Sequence, residues 1–359
     1  MASTGVHAGE FTSLTIPEKL GLVYSLCVLI IYKVLAGVMT LFRDRKTTRS
    51  WEHEVRNRTA RYLMASTSTR QLQAIFPNTA STVAAACKEL NLSVQVEHVG
   101  KMGAKLHWIG HGDTNQVLFY IHGGGFGLSP NPGHVRFAVK CRDKMQARGA
   151  RISVAFLEYG LTPTTKYPSQ YVQALDALSS ILKRGYNSSD IVAAGDSAGG
   201  NICLAVMSLL RHPTPLVPHV TLEAPIRGLV LICPWVSFDS NSASYLENAA
   251  RDVIFPGQMH DWANAFTSPS ERNEYSEPIR ASAGWWRGIP TEQTLIVCGN
   301  DEVFKDDIQR LGMTMAKAGL DVQISTCSKQ IHIDCILDEQ YSLDAGPMSQ
   351  AIWDWLVSL

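Results

Sequence analysis

The sequence predicts an α/β protein: a mostly parallel central sheet with helices on both faces and a helical cap. Three observations predict it. After residue 90, short apolar runs alternate with stretches of helical period, the pattern that sandwiches a parallel sheet between helical layers. Several of the runs are continuously apolar, as strands covered on both faces require. Residues 240–290 break this rhythm with Trp262, Trp285 and Trp286 and little strand pattern, which is where an inserted cap fits.

The N-terminus carries the one membrane-like stretch. Leu20–Phe42 holds a single charge, Lys33, and is long enough to cross a hydrocarbon core of about 30 Å. Lys33 near its middle would cost roughly 2.5–3.5 kcal/mol, which the Leu, Ile, Val and Phe residues around it can offset. Arg43, Arg45, Lys46 and Arg49 follow, with no comparable basic cluster before them. The positive-inside rule then places the C-terminal bulk in the cytosol as a single-pass membrane protein. A cleaved leader fits less well, since the run is long and no small-residue cleavage site follows. The alternative is a soluble cap helix, because Ser25, Lys33 and Thr40 fall loosely on one helical side. The expected organisation is an anchor or cap helix in 1–48 and a body in 49–359, with cap contributions from about 49–90 and 240–290.

Beyond residue 90 the expected strands are Ser93–His98, Lys105–Ile109, Val117–Ile121, Ile152–Leu157, Ile191–Ala194, Leu229–Cys233, Thr294–Cys298 and Val322–Thr326. Helices are expected over Ser169–Lys183, Ala198–Leu210, Lys305–Ala318 and Pro347–Leu359. With 359 residues the chain can bury a large core as one domain with additions, or as two domains. Lysine plus arginine and aspartate plus glutamate are each 32. The zero net charge argues against nucleic acid as a partner, which usually demands a basic excess. The eight cysteines (Cys27, Cys87, Cys141, Cys203, Cys233, Cys298, Cys327 and Cys335) form no CxxC pair and no zinc spacing. They read as buried, reduced thiols.

Two motifs carry chemistry. Gly195-Asp196-Ser197-Ala198-Gly199-Gly200 follows the apolar strand Ile191–Ala194 and precedes a helix. That is the context of a nucleophile elbow, whose sharp turn needs small residues on both sides of the serine. Ser197 is thus the candidate nucleophile, and the residue after it, Ala198, normally donates its N–H to an oxyanion. The second motif, His122-Gly123-Gly124-Gly125-Phe126, directly follows the strand Val117–Ile121. Its glycines let backbone N–H groups approach a carbonyl closely, as acyl transfer requires. His122 is expected to orient this loop, not to act as a base.

Together, HGGGF and GDSAGG resemble the hormone-sensitive-lipase branch of the α/β-hydrolases. Tyr159-Gly160-Leu161-Thr162-Pro163 and Cys233-Pro234-Trp235 look like further segments of that family, and Trp285-Trp286-Arg287-Gly288-Ile289-Pro290 resembles its fungal members. The resemblance covers about residues 85–359. It implies that the amides of Gly124 and Gly125, with Ala198, form the oxyanion hole. It also implies an acid after the strand Thr294–Cys298, with a second Asp four residues further on. Glu302 has that interval to Asp306. Asp301 misses it by one residue but is the commoner residue type, so Glu302 is preferred and Asp301 is the alternative acid. The base must follow the acid. His332, the only histidine after His260, lies beyond the last strand and before the final helix.

The expected function is cleavage of a carboxylic ester of a small hydrophobic substrate through an acyl-enzyme, without metal or cofactor. By resemblance, a fungal secondary metabolite is one candidate. The same pocket suits acyl transfer, lactone or amide cleavage, or cyclisation. A rival of another class is a small-molecule receptor of the same fold, which the retention of all three triad residue types disfavours.

Overall fold

The structure, a computed structural model, describes residues 14–40, 49–110, 112 and 114–359. Arg43, Arg45 and Lys46, and the last two residues of Leu20–Phe42, lie outside the described residues.

Eight strands form one sheet: β1 Val94–Val99, β2 Ala104–Ile109, β3 Gln116–Ile121, β4 Ile152–Glu158, β5 Ile191–Asp196, β6 Ile226–Ile232, β7 Thr291–Gly299 and β8 Val322–Cys327. Their order is β1-β2-β4-β3-β5-β6-β7-β8. β2 runs antiparallel to β1 and β4, and every other pairing is parallel. Each expected strand is present within a few residues, except that β6 stops at Ile232. Cys233 turns to φ +46° and leaves the ladder.

The helices are α1 Ile16–Met39, α2 Trp51–Ser66, α3 Thr69–Ile75, α4 Thr79–Glu89, α5 Pro132–Gln146, α6 Ser169–Lys183, α7 Ala198–Arg211, α8 Ala243–Glu247, α9 Pro256–Phe266, α10 Ala283–Trp286, α11 Lys305–Lys317, α12 Asp334–Tyr341 and α13 Pro347–Ser358. Strand residues alternate between two cores, as a period of two dictates. Val117, Phe119 and Ile121 face the layer of α6, α7 and α11, while Leu118 and Tyr120 face α5 and α13.

Parallel pairing brings the carboxyl ends of the strands to one edge. Ile121 lies beside Gly195, Asp196 beside Ile232, Ile232 beside Val297, and Gly299 beside Cys327. All the motif loops leave the sheet there, as ligand sites of open α/β sheets do.

α2, α3 and α9 close over this edge. Gln73 donates to the carbonyls of Gly127 (2.6 Å) and Thr162 (2.8 Å), and Trp262 Nε1 donates to Thr69 Oγ1 (2.8 Å). Buried ion pairs tie α2 to the body, Arg56 meeting Asp334 and Asp338, and Arg49, just before the helix, also meets Asp338. α4, which also falls in 49–90, packs instead on α5 and β2 in the body.

α1 packs on α2 and α3 along one side. Ser25 Oγ donates to the Ser66 carbonyl (2.8 Å), Gln71 to that of Glu18 (2.8 Å), and Tyr32 stacks on Tyr62. Ser25 and Thr40 are buried, but Lys33 is exposed among Ile30, Ile31 and Val34. The loose polar side read from the sequence therefore splits, because the helical turn carries Lys33 away from α2.

Candidate active site

β5 ends at Asp196 and α7 begins at Ala198, so Ser197 alone makes the turn. It does so at φ 50°, ψ −118°, a backbone region that is costly for a residue with a Cβ and recurs at active sites. The turn is held by Ser197 N–H donating to the Ile232 carbonyl (2.9 Å) and by Trp235 N–H donating to the Ser197 carbonyl (2.9 Å). The first turn of α7 passes under the neighbouring strand end. A Cβ at Gly199 would stand 2.0 Å from the Ile121 carbonyl oxygen, so only glycine fits there. As first residue of α7, Ala198 has an N–H with no intrahelical acceptor.

The HGGGF loop follows β3 beside this elbow. Gly124 has φ +103°, and its carbonyl accepts from Gly127 (3.0 Å) and Leu128 (2.8 Å), folding the loop back. Gly125 lies under Trp262: a Cβ there would fall 2.1 Å from the indole. His122 is fully buried, stacks on Tyr159 at 4.5 Å, and its Nδ1 is 2.7 Å from the Gly123 carbonyl. Burial, followed by the nearby His134, pushes His122 down to about 4. It is a neutral support of the loop. Asp196 sits beneath the elbow, accepting from Tyr120 Oη (2.9 Å) and lying 3.3 Å from His134 Nε2. Burial alone would raise its carboxyl, but His134 and these hydrogen bonds hold it below the usual range.

The loops after β7 and β8 are bound to each other. Asn300 N–H donates to the Cys327 carbonyl (2.8 Å), and Asp301 N–H to that of Gln330 (2.9 Å). This juxtaposition sets His332 Nδ1 2.7 Å from Glu302 Oε1, with both side chains buried. Glu302 Oε2 accepts the Gly299 N–H at 2.9 Å. Burial works against a charged His332. The hydrogen bond and charge of Glu302, then the charges of Asp252 and Asp196, outweigh it and raise the imidazole above its ordinary value. Asp301 points elsewhere, to Arg251 Nη1 at 3.2 Å. Cys233 Sγ lies on the other side of this pair and accepts the Ile333 N–H (3.3 Å). Among the described residues, Cys233, Glu302 and His332 are the group whose donor atoms could hold a metal ion, lying within 4.8 Å of one another. All eight cysteines are free, and of these Cys27 alone is exposed.

The fold that carries these loops is matched at the level of sequence. Residues 118–335 match the family described as alpha/beta hydrolase fold. The chain belongs to that family. Within it, the chain is similar to an acetyl-hydrolase of Streptomyces hygroscopicus, 26% identical over 220 residues, 61% of this chain and 68% of that protein. An esterase of Gibberella moniliformis is 27% identical over 248 residues, 66% of this chain and 71% of that protein. Among solved structures, an esterase from the bacterial hormone-sensitive lipase family superposes with a TM-score of 0.62 at 21% identity, covering 96% of this chain and 99% of that one. Carboxyl esterase 2 from the fungus Tuber melanosporum gives a TM-score of 0.61 at 24% identity, covering 74% and 85%.

Three residues of this α/β-hydrolase site escaped the sequence reading. Trp262 roofs the glycine loop. Cys233, read as a buried thiol and as the start of a family-like segment but given no place in the site, contacts the backbone after His332. Asp252, in the segment taken as cap, is fully buried and accepts the His332 N–H at 3.1 Å. Trp262 carried a signal, since it stands in the apolar period of α9. Asp252 carried none, because it works through backbone amides that no side-chain spacing reveals.

Proposed function

We propose that the protein is a serine hydrolase of carboxylic esters, with Ser197 as nucleophile, His332 as base and Glu302 as the triad acid. Ser197 Oγ attacks the ester carbonyl as His332 Nε2 takes its proton. The alcohol leaves with that proton, and water then releases the acid by the same route. Glu302 holds the Nδ1–H tautomer and stabilises the imidazolium. The amides of Gly124, Gly125 and Ala198 receive the oxyanion. The observation that carries this reading is the 2.7 Å contact of His332 Nδ1 with Glu302, made on the same sheet edge as the elbow. Asp301, engaged by Arg251, is the bystander.

The substrate is a small hydrophobic ester. A groove of about 870 Å³ runs between the start of α1, the α2–α3 turn and α9, with Met64, Phe255 and Pro256 beside polar Arg70 and His260. Its wall residue Thr69 bonds Trp262, and its methyl would lie 3.1 Å from a Cβ at Gly127. The groove therefore leads toward the glycine loop, with Trp262 between.

The same reading seats the enzyme on a membrane through α1, with the body in the cytosol. A helix of 24 residues at 1.5 Å per residue is long enough to span a hydrocarbon core.

The test is intact-protein mass spectrometry after a fluorophosphonate probe, with hydrolysis of p-nitrophenyl esters in parallel. One adduct on Ser197 and ester turnover are expected. No adduct and no turnover would sink the reading in favour of a receptor.

A further inference from the structure

One buried carboxylate beside the triad has no part in the mechanism above. Asp252 lies in the segment between β6 and β7, on the cap side of the chain, and is fully buried. Its Oδ1 accepts the N–H of His332 (3.1 Å) and of Val253 (2.7 Å), and its Oδ2 accepts the N–H of Val303 (2.8 Å). Val303 directly follows Glu302. One carboxylate thus clamps the backbone of the base to the backbone beside the acid. Its neighbours in the chain grip the same loop: Asn248 Nδ2 donates to the carbonyls of Asn300 (3.1 Å) and Glu302 (2.8 Å).

We propose that Asp252 is a positioning residue for ester hydrolysis, one that fixes the Glu302–His332 pair through backbone amides and adds a negative charge favouring the imidazolium. The proposal rests on the triad reading given above. Two observations support it. Three backbone N–H groups converge on one side chain, two of them from the loops that carry the acid and the base. Burial, with Glu302 adding to it, pushes the Asp252 carboxyl up to about 7, while His332 and the amide hydrogen bonds pull the other way. The Asp252 charge is one of those that raise His332.

Among the described residues, three carboxylates act on His332. Glu302 and Asp252 face it from the loop after β7 and from the cap, and Asp196 acts from beneath the elbow. The Cys233 thiol is kept neutral by burial, as is the Tyr245 phenol that faces Asp252. Two cations lie nearby. Arg251 is paired with Asp301, and Arg61 of α2 donates to the Asp252 carbonyl (2.8 Å). No covalent bond changes at Asp252 during turnover. His332 Nε2 carries the proton in both halves of the cycle: from Ser197 Oγ to the leaving alcohol, then from the attacking water back to Ser197 Oγ.

The test compares full-length wild type with Asp252→Asn, which preserves volume, and Asp252→Ser, which leaves room for water to meet the amides. kcat and KM for p-nitrophenyl butyrate, the pH profile of kcat/KM and thermal melting are measured for each. Loss of the carboxylate lowers the His332 pKa, so the acidic limb of kcat/KM is expected to move to lower pH by roughly one unit. kcat is expected to fall about 100-fold, the size of loss that small misplacements of reacting groups produce, with KM changed less than about two-fold. A purely structural carboxylate would lower the melting temperature without moving the limb, and that result overturns the proposal. Failure of both variants to fold overturns it as well, since it assigns the residue to stability. A wild type that reacts with the probe at Ser197, beside an Asp252→Asn enzyme of unchanged kcat and limb, removes the role of Asp252 alone. A wild type with neither adduct nor turnover removes the triad reading and this proposal together.

Discussion

α1 and α7 are both long apolar helices, yet they occupy opposite settings. From Ala198 to Leu209 every residue of α7 is buried. In α1, with a mean hydropathy of 2.2 over its most apolar window, only Leu22, Ser25 and Ala36 are buried. Apolar composition therefore does not place a helix; its partners do. α7 starts with small residues that let it approach β3 and β5 as closely as the Gly199–Ile121 contact, and it meets apolar neighbours on all sides. Among the described residues α1 packs along one flank only, on α3 and chiefly on α2, whose sequence includes Glu52, Glu54, Arg56 and Arg58. The outward side chains of α1 (Leu20, Val23, Ile30, Ile31 and Val34 among them) stay exposed among the described residues. One helix carries the proposed nucleophile at its N-terminus; the other presents an apolar surface along its length. Changes in the first should cost turnover or folding, and changes in the second only the enzyme's location.

The largest effect is expected at the head of α7. Ser197→Ala removes the nucleophilic oxygen and should lower kcat by about six orders of magnitude. Its melting temperature should stay near that of wild type, because alanine loses only a hydroxyl. Initial-rate assays and a thermal melt check both halves, and retained hydrolysis would move the chemistry away from this helix.

Next comes the acid. Glu302→Gln should reduce kcat by about four orders of magnitude by holding the wrong His332 tautomer. Asp301→Asn, which loses only the partly exposed pairing with Arg251, should cost a few-fold. The pH profile carries the sign. Wild-type kcat/KM should fall on acidification with a limb above the ordinary histidine value, because Glu302 and Asp252 raise His332. Residual Glu302→Gln activity should show that limb at lower pH. A dead Asp301→Asn beside an active Glu302→Gln enzyme would reverse the assignment.

How much of this was legible in the sequence depends on the kind of physics involved. Strands buried on both faces, such as β3, β4, β5 and β6, announce themselves as apolar runs, whereas the partly exposed β1 and β8 were readable only as short segments of alternating apolar and polar residues. α5 was not, because its sequence carries Arg136, Lys140, Arg142, Asp143 and Lys144. Those charges find partners such as Glu89 and Glu339 that only the fold brings near. α2 was missed for the same reason, as Arg56 meets Asp334 across 278 residues of chain. At the site, Ser197 and the glycine loop could be placed because tight turns demand particular residues in sequence. Between the adjacent carboxylates the sequence preferred Glu302 only on its interval to Asp306; in the structure the two point apart, Glu302 to His332 and Asp301 to Arg251.

A stability measurement sharpens the contrast between the helices. Leu204 is fully buried in α7, and Leu204→Ala should cost about 2–5 kcal/mol of unfolding free energy. Ile31, exposed on α1, should cost no more than about 0.5 kcal/mol when changed to alanine. Urea unfolding of the two variants checks this, and equal losses would mean that the outer side of α1 is covered by protein.

The smallest effect on catalysis, and the one specific to α1, concerns location. Changing Leu20, Val23, Ile30 and Val34 together to serine removes exposed apolar area while leaving Ser25, Tyr32 and Ala36, which face α2, in place. Turnover of a water-soluble ester should change less than about two-fold, since none of the four side chains belongs to the site and exposed substitutions away from special contacts are nearly neutral. Membrane partition should collapse, because burying each such side chain in an apolar phase is worth about 1.5–3 kcal/mol. Flotation with phosphatidylcholine vesicles reads this directly: wild type is expected to float and the variant to remain in the dense fraction. Carbonate extraction of wild type from cell membranes then separates the two ways of seating α1. Crossing the bilayer requires α1 to leave α2, breaking the Ser25–Ser66 hydrogen bond and the Tyr32–Tyr62 stack, and a spanning helix stays in the pellet. Lying on the surface keeps those contacts, and the protein is released into the supernatant. A wild type that fails to float would remove the membrane from the reading altogether and leave α1 an outer layer on α2 and α3.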